Sequence, residues 1–128
     1  MDKAEQKKKI LIIEDDFFIR DLFVSQAQLE GYEVITAVDG EEALVKAHAV
    51  VPDFVLLDIM IPKVDGITVL KSLKADQQLA KVPVIVVTNL EDKTKEYEAR
   101  KEGALDYILK VHSSPAAIIS QVKEYLSQ

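Results

Sequence analysis

Three uninterrupted apolar runs constrain this chain more than any other feature: Ile10-Leu11-Ile12-Ile13, Phe54-Val55-Leu56-Leu57 and Val84-Ile85-Val86-Val87. None of them alternates with polar residues as a half-exposed strand would. Runs of this kind mark strands covered on both faces, as in a parallel sheet flanked by helices. Two weaker runs, Tyr32 to Ala37 and Leu105 to Leu109, read as further strands.

Helical patterns fill the intervals. Phe18, Leu22, Phe23 and Leu29 carry helical spacing, and Gly31 is placed to end that helix in a left-handed cap. Asp39-Gly40-Glu41-Glu42 opens a second helix, its early acids favoured by the helix dipole. Asp65-Gly66 opens a third, with an apolar stripe of Ile67, Leu70 and Leu73. A fourth, very polar helix runs from about Glu91 to Glu102, followed by Gly103. The fifth starts near Ser114-Pro115, a cap and a helix-starting proline, and carries Ile118, Val122, Tyr125 and Leu126. Strand-helix five times over, with right-handed crossovers, predicts an α/β doubly wound five-stranded parallel sheet of order 2-1-3-4-5. Its five helices flank both faces, and ligands bind outside the carboxyl ends of the strands at the switch point between the first and third.

Four of the five strands deliver polar groups to that edge. The first run ends in Glu14-Asp15-Asp16, the third strand in Asp58, the fourth in Thr88 and the fifth in Lys110. Carboxylates gathered at one point repel, and a divalent cation relieves the conflict. An oxygen-only donor set without His or Cys suits Mg²⁺, which takes one or two carboxylates, waters and a phosphate oxygen. A carboxylate such as Asp58 is also a nucleophile toward phosphorus. The metal, the Lys110 ammonium and the Thr88 hydroxyl would then hold the equatorial oxygens.

Composition removes competing classes. The chain has no cysteine, which excludes disulfides, thiolate zinc sites and cysteine nucleophiles. A net charge of −6 argues against direct nucleic-acid binding, and the basic cluster Lys7 to Lys9 reads as a solvated terminus. The apolar runs fall far short of the roughly 20 residues that cross a bilayer, so a cytoplasmic protein with no membrane contact is expected. At 128 residues the chain is one domain long, residues 1–128, with a polar N-terminal extension over 1–8. His48 and His112 are isolated and read as surface residues, Tyr32 as sheet packing, Tyr97 as helix packing and Asp16 as the cap of the first helix.

The segments Ile10 to Asp16, Leu57 to Gly66, Val86-Val87-Thr88 and Gly103 to Lys110 together resemble the receiver domain of two-component response regulators, with family spacing from about Lys9 to Leu126. The resemblance implies a flavodoxin-like architecture and a phosphoacceptor that takes its phosphoryl group from a histidine kinase, a phosphotransfer protein or a small acyl phosphate. It makes Asp58 the phosphoacceptor, with Glu14 and Asp15 as the metal-binding acid pair, Asp15 being favoured as direct ligand. The Met60 backbone carbonyl joins the Mg²⁺ shell. Thr88 becomes the switch hydroxyl, Tyr107 the aromatic that turns inward after it, and Lys110 the phosphate-binding lysine. It also implies an output surface on the fourth helix, fifth strand and fifth helix, read by a downstream effector or used for a homodimer. Ile119 and Leu126 are expected to extend an apolar strip there.

The departures carry expectations too. Val111 follows Lys110 where the family usually has proline, often in a cis bond. A non-proline cis bond costs about 2.5–4 kcal/mol, so either the loop stores that strain or the bond is trans. Asn89 stands where a small residue is usual and narrows access to Asp58, and Leu90 cannot hydrogen-bond an attacking water. A fairly long-lived phosphoryl group follows. A true phosphatase needs an acid two residues after the nucleophile, where this chain has Met60, so a turnover enzyme is not expected. The competing reading is a degenerate receiver that binds proteins without phosphorylation. A nucleotide-binding protein is disfavoured, because the four glycines form no phosphate loop.

Overall fold

The computed structural model describes residues 6–128, so positions 1–5 of the expected polar extension lie outside the described residues. Five strands, β1 (Lys9–Ile13), β2 (Glu33–Ala37), β3 (Phe54–Leu57), β4 (Val84–Thr88) and β5 (Asp106–Leu109), alternate with α1 (Phe17–Leu29), α2 (Gly40–Val50), α3 (Gly66–Ala75), α4 (Lys93–Lys101) and α5 (Pro115–Leu126). A short 3-10 turn, Lys110–His112, precedes α5. Every pairing is parallel and the strand order is 2-1-3-4-5, as expected from the pattern.

Each helix begins where a side chain accepts from its free N–H groups. Asp16, Asp39, Asp65, Asp92 and Ser114 fill that role for α1 to α5 in turn. Glu42 also accepts from the Val38 N–H, one residue before the cap, at 2.8 Å, which ties the incoming chain to the first turn of α2. Past the end of α1, Gly31 takes φ 90°, the left-handed conformation that glycine adopts without steric cost. The fourth helix begins two residues later than the Glu91 start its pattern predicts, because Asp92 is its cap and not part of its first turn.

The sheet divides the core by the two-residue alternation of its strands. Leu11, Ile13, Val55, Leu57, Val84, Val86 and Tyr107 face α2, α3 and α4. Ile10, Ile12, Phe54, Leu56, Ile85 and Val87 face α1 and α5. Covering on both sides explains why β1, β3 and β4 tolerate no polar interruption.

Three expected placements are corrected. On α1 the buried face is Phe23 and Ala27, whereas Phe18, Leu22 and Leu29 are exposed. The helix is apolar around most of its circumference, and its contact with β1 and α5 selects one stripe. Ile119 is buried and Leu126 half-buried against the α1 side of the core, so neither extends an outer apolar strip. Tyr97 is 69% exposed and covers no helix packing. No peptide bond among the described residues is cis, which makes Lys110–Val111 trans. No helix among those residues is long and apolar enough to cross a membrane.

His48 and His112 are exposed, as read. His48 nevertheless has partners: Nδ1 lies 2.8 Å from the Leu44 carbonyl oxygen and Nε2 2.8 Å from Asp76 Oδ2. Only a doubly protonated ring donates to both acceptors. The Leu44 carbonyl first, and the Asp76 carboxylate second, therefore raise the His48 pKa above its ordinary 6.5. This small contribution to stability is complete below the unfolded pKa and fades as pH rises through the higher folded value.

Two measurements check this description. Phe23→Ala should lower the unfolding free energy by about 3–5 kcal/mol, while Phe18→Ala should stay within about 0.5 kcal/mol of the parent in denaturant melts. Comparable losses at both positions would contradict the assigned α1 face. In an NMR titration of the imidazoles, the His48 midpoint should lie above 6.5 and fall in Asp76→Asn; a midpoint indifferent to that change would contradict the pair.

Candidate functional site

The register of the sheet brings the strand ends together. Ile13 pairs with both Ala37 and Leu57, Leu57 pairs with Val86, and Thr88 pairs with Leu109. The next residues along, Glu14, Asp58 and Lys110, thus emerge at one edge. The alternation continues past the last pairs: these three fall on the α1–α5 side, and Thr88 falls on the opposite side with Tyr107. Main-chain bonds fix the exits, with Glu14 N donating to Ala37 O and Asp58 N to Ile13 O, both at 3.0 Å.

Glu14 and Asp58 are buried at 3% and 5% exposure. Between them lies Lys110, its Nζ 2.6 Å from Glu14 Oε1 and 2.7 Å from Asp58 Oδ2. The other carboxylate oxygens accept main-chain bonds, Glu14 Oε2 from Asp16 N at 3.1 Å and Asp58 Oδ1 from Met60 N at 2.9 Å. Every buried oxygen therefore has a partner, as buried charge requires. Burial raises the Glu14 pKa, against the opposing pull of Lys110 and the Asp16 N–H. Burial also works to lower the Lys110 pKa, but its hydrogen bonds to Asp58 and Glu14 outweigh it and the net direction is up.

Asp15 is exposed beside this pair, and ligand oxygens of Glu14, Asp15 and Asp58 lie within 4.8 Å of one another. These three line an open cleft of about 280 Å³ with Asp16, Ile19, Met60, Asn89 and Lys110. Oxygen donors at this spacing fit a small hard cation, and the cluster is able to hold one.

Thr88 is placed differently. It is fully buried, does not line the cleft, and its Oγ1 accepts from Leu90 N at 3.3 Å. Tyr107 already points inward, buried at 8%, with its hydroxyl donating to Leu90 O at 2.6 Å. Burial, then Asp92, Glu96 and Asp58, push its pKa up to about 12, so it stays protonated and able to donate. Thr88 and Tyr107 thus hold the two ends of one residue, Leu90.

Of the expected site residues, Glu14, Asp15, Asp58, Met60 and Lys110 come together, while Thr88 and Tyr107 form an adjoining pair. Reading by residue type missed two contributors. Ile19 forms a wall of the cleft, and Arg20 Nη1 donates to Glu14 O at 3.0 Å and Asp15 O at 3.3 Å. Their signal was positional, three and four residues beyond the Asp16 cap, on the helix face above the acid pair.

Comparison with known proteins agrees with this fold. The family model described as the response regulator receiver domain matches residues 10–123. The alkaline phosphatase synthesis transcriptional regulatory protein PhoP of Bacillus subtilis is 40% identical over 119 residues, 93% of this chain and 48% of PhoP. The DNA-binding dual master transcriptional regulator RpaA of Synechocystis is 40% identical over 102 residues, 80% of this chain and 42% of RpaA. The chain thus spans about half the length of the curated relatives it matches. A CheY-like receiver domain protein from Methanospirillum hungatei superposes with a TM-score of 0.88 at 29% identity, covering 95% of each chain. The BeF3-activated N-terminal receiver domain of Klebsiella pneumoniae RstA gives 0.84 at 30% identity, over 94% of this chain and 100% of that one. With the match running almost end to end, this chain belongs to the receiver-domain family of two-component response regulators.

Proposed function

We propose that residues 1–128 form one receiver domain that accepts a phosphoryl group on Asp58, in the cytoplasm, from a phosphohistidine of a kinase or phosphotransfer protein or from a small acyl phosphate. The observation that carries this reading is the Lys110 ammonium held between Glu14 and Asp58 in a cleft that Asp15 borders. A nucleophilic carboxylate thus has a cation beside it and open space in front.

The step is a displacement at phosphorus. An Asp58 carboxylate oxygen forms the new P–O bond, the P–N bond to the donor imidazole breaks, and that nitrogen keeps the electron pair and takes up a proton. Mg²⁺, when bound by Asp15, Asp58 and the Met60 carbonyl with Glu14 beside them, supplies charge compensation for the transferring oxygens. Lys110 follows the negative charge from the carboxylate to the phosphoryl group. The Met60 N–H holds Asp58 Oδ1 and limits rotation of the nucleophile.

A donor protein has to cover the rim of the cleft to reach a residue as buried as Asp58. Exposed Phe18 and Leu22 on α1, with Ile19 in the cleft wall, suit an apolar partner surface that brings a phosphoimidazole. After transfer, roughly −1.5 to −2 charges at Asp58 draw the Thr88 hydroxyl from Leu90 N. Tyr107 is tied to the same residue, so the change reaches the α4–β5–α5 face, where an effector or a second copy of the chain binds. Exposed Tyr97 and Leu105 provide the apolar part of that face, in place of Ile119 and Leu126. Neither Met60 nor Leu90 offers a side-chain group to orient water, which favours slow hydrolysis and argues against turnover of outside substrates.

Incubation with acetyl phosphate and Mg²⁺ should give a single phosphoryl adduct by intact mass, absent in Asp58→Ala. Lys110→Met should slow its formation by about 10²–10³-fold. An unmodified parent protein under conditions that permit beryllofluoride binding would favour a phosphorylation-independent binding module, and steady turnover of phosphate esters would favour a hydrolase. Once formed, the adduct should outlast seconds in Mg²⁺ buffer; decay within seconds would contradict the slow-hydrolysis reading.

A further inference from the structure

The loop between β3 and α3, residues 58–65, carries Met60 past the cleft, yet it is not held by the cleft alone. At its near end Gly66 N donates to Ile59 O at 3.1 Å, and the Met60 N–H is spent on Asp58. At its far end the support comes from α2, a helix with no residue in the cleft lining. Gly40, the first residue of α2, donates its N–H to Pro62 O at 3.1 Å. That N–H is one of the free donors of a helix start, so the contact satisfies the helix and anchors the loop together.

The approach is close enough to require glycine. A Cβ on Gly40 would stand 2.1 Å from the Val64 carbonyl oxygen and 2.7 Å from Val64 Cβ. The neighbour is backbone, so no side-chain rotation relieves it. A second clip lies outside. Lys63 takes φ 70°, a left-handed conformation that costs a non-glycine residue energy, and its Nζ lies 3.6 Å from Asp39 and 3.5 Å from Glu41. Asp39 in turn caps α2 through the Glu42 N–H at 2.8 Å. Ile61 and Val64 pack on the α2–α3–α4 side of the core between these two fastenings.

We propose that the first turn of α2, seated through Gly40 and clipped by Lys63, is a positioning element for the β3–α3 loop and thereby for the Met60 carbonyl. This rests on the function proposed above, in which that carbonyl is a Mg²⁺ ligand. Mg²⁺ demands near-ideal octahedral geometry, so a loop displaced by roughly 1 Å presents its oxygen badly. The α2 residues act only through the loop.

The test titrates MgCl₂ into ¹⁵N-labelled full chain and follows backbone amides by NMR. The parent should show saturable shifts at Asp15, Asp58 and Met60. Gly40→Ala should shift the Met60 amide and raise its hydrogen exchange before any metal is added, and should weaken Mg²⁺ about 10- to 100-fold, the range for residues that orient metal ligands. Lys63→Glu, at an exposed position that does not threaten folding, should weaken Mg²⁺ roughly two- to fivefold. Its added negative charge alone would strengthen Mg²⁺ binding, so the two explanations predict opposite signs. A folded Gly40→Ala with parental Met60 amide and affinity would overturn the proposal, as would unchanged or tighter binding in Lys63→Glu. If Gly40→Ala does not fold, the sign of the Lys63→Glu effect decides. A parent protein with no saturable response at Asp58 removes the Mg²⁺ reading and the brace with it, an outcome distinct from failure of the variants alone.

Discussion

Two buried carboxylates, Glu14 and Asp58, share one ammonium at 2.6 and 2.7 Å, and the remaining features of the edge are arranged around that contact. Uncompensated, two carboxylates buried this close would repel each other. Lys110 prevents this with a charge that is itself mobile, carried on a flexible stem. A second cation entering beside Asp15 and a phosphoryl group arriving on Asp58 both alter the same electrostatic balance. On the function proposed above, a site built this way responds to small changes in charge, as a switch requires.

How the response leaves the cleft follows from strand parity. Glu14, Asp58 and Lys110 share one side of the sheet edge, while Thr88 lies on the other side with Tyr107. The two groups are joined at Leu90, whose N–H is bound by Thr88 and whose carbonyl is bound by Tyr107. Movement of the Thr88 hydroxyl toward the cleft releases one end of Leu90 while Tyr107 holds the other. Beyond Tyr107, Asp106 pairs with Arg100 of α4 at 3.1 Å and accepts from Gln121 of α5 at 3.0 Å, so one strand end links α4 and α5.

Much of this was legible in the sequence. Runs without polar interruption identified β1, β3 and β4, because only strands covered on both faces exclude polar residues so completely. The order of units then left one natural sheet, and the acids and lysine at strand ends named most of the cleft. What escaped was decided by geometry between elements. On α1 nothing local distinguishes Phe18 from Phe23, since both are large and apolar; contact with β1 and α5 buries one and exposes the other. Ile119 and Leu126 were misplaced for the same reason. The separation of Thr88 from the cleft was available by counting alternation along β4, but residue type alone suggested a common pocket. The Gly40–Val64 contact joins residues distant in the chain, and no local pattern announces it.

A crystal structure with Mg²⁺ and beryllofluoride tests the central claim most directly. The account predicts the fluoride group on an Asp58 oxygen, with Lys110 Nζ turned from Glu14 to a fluorine and one ion shared by Asp15, Asp58 and the Met60 carbonyl. Glu14, Asp15 and Asp58 facing apart with no common ion, or the fluoride group bound elsewhere, would contradict it.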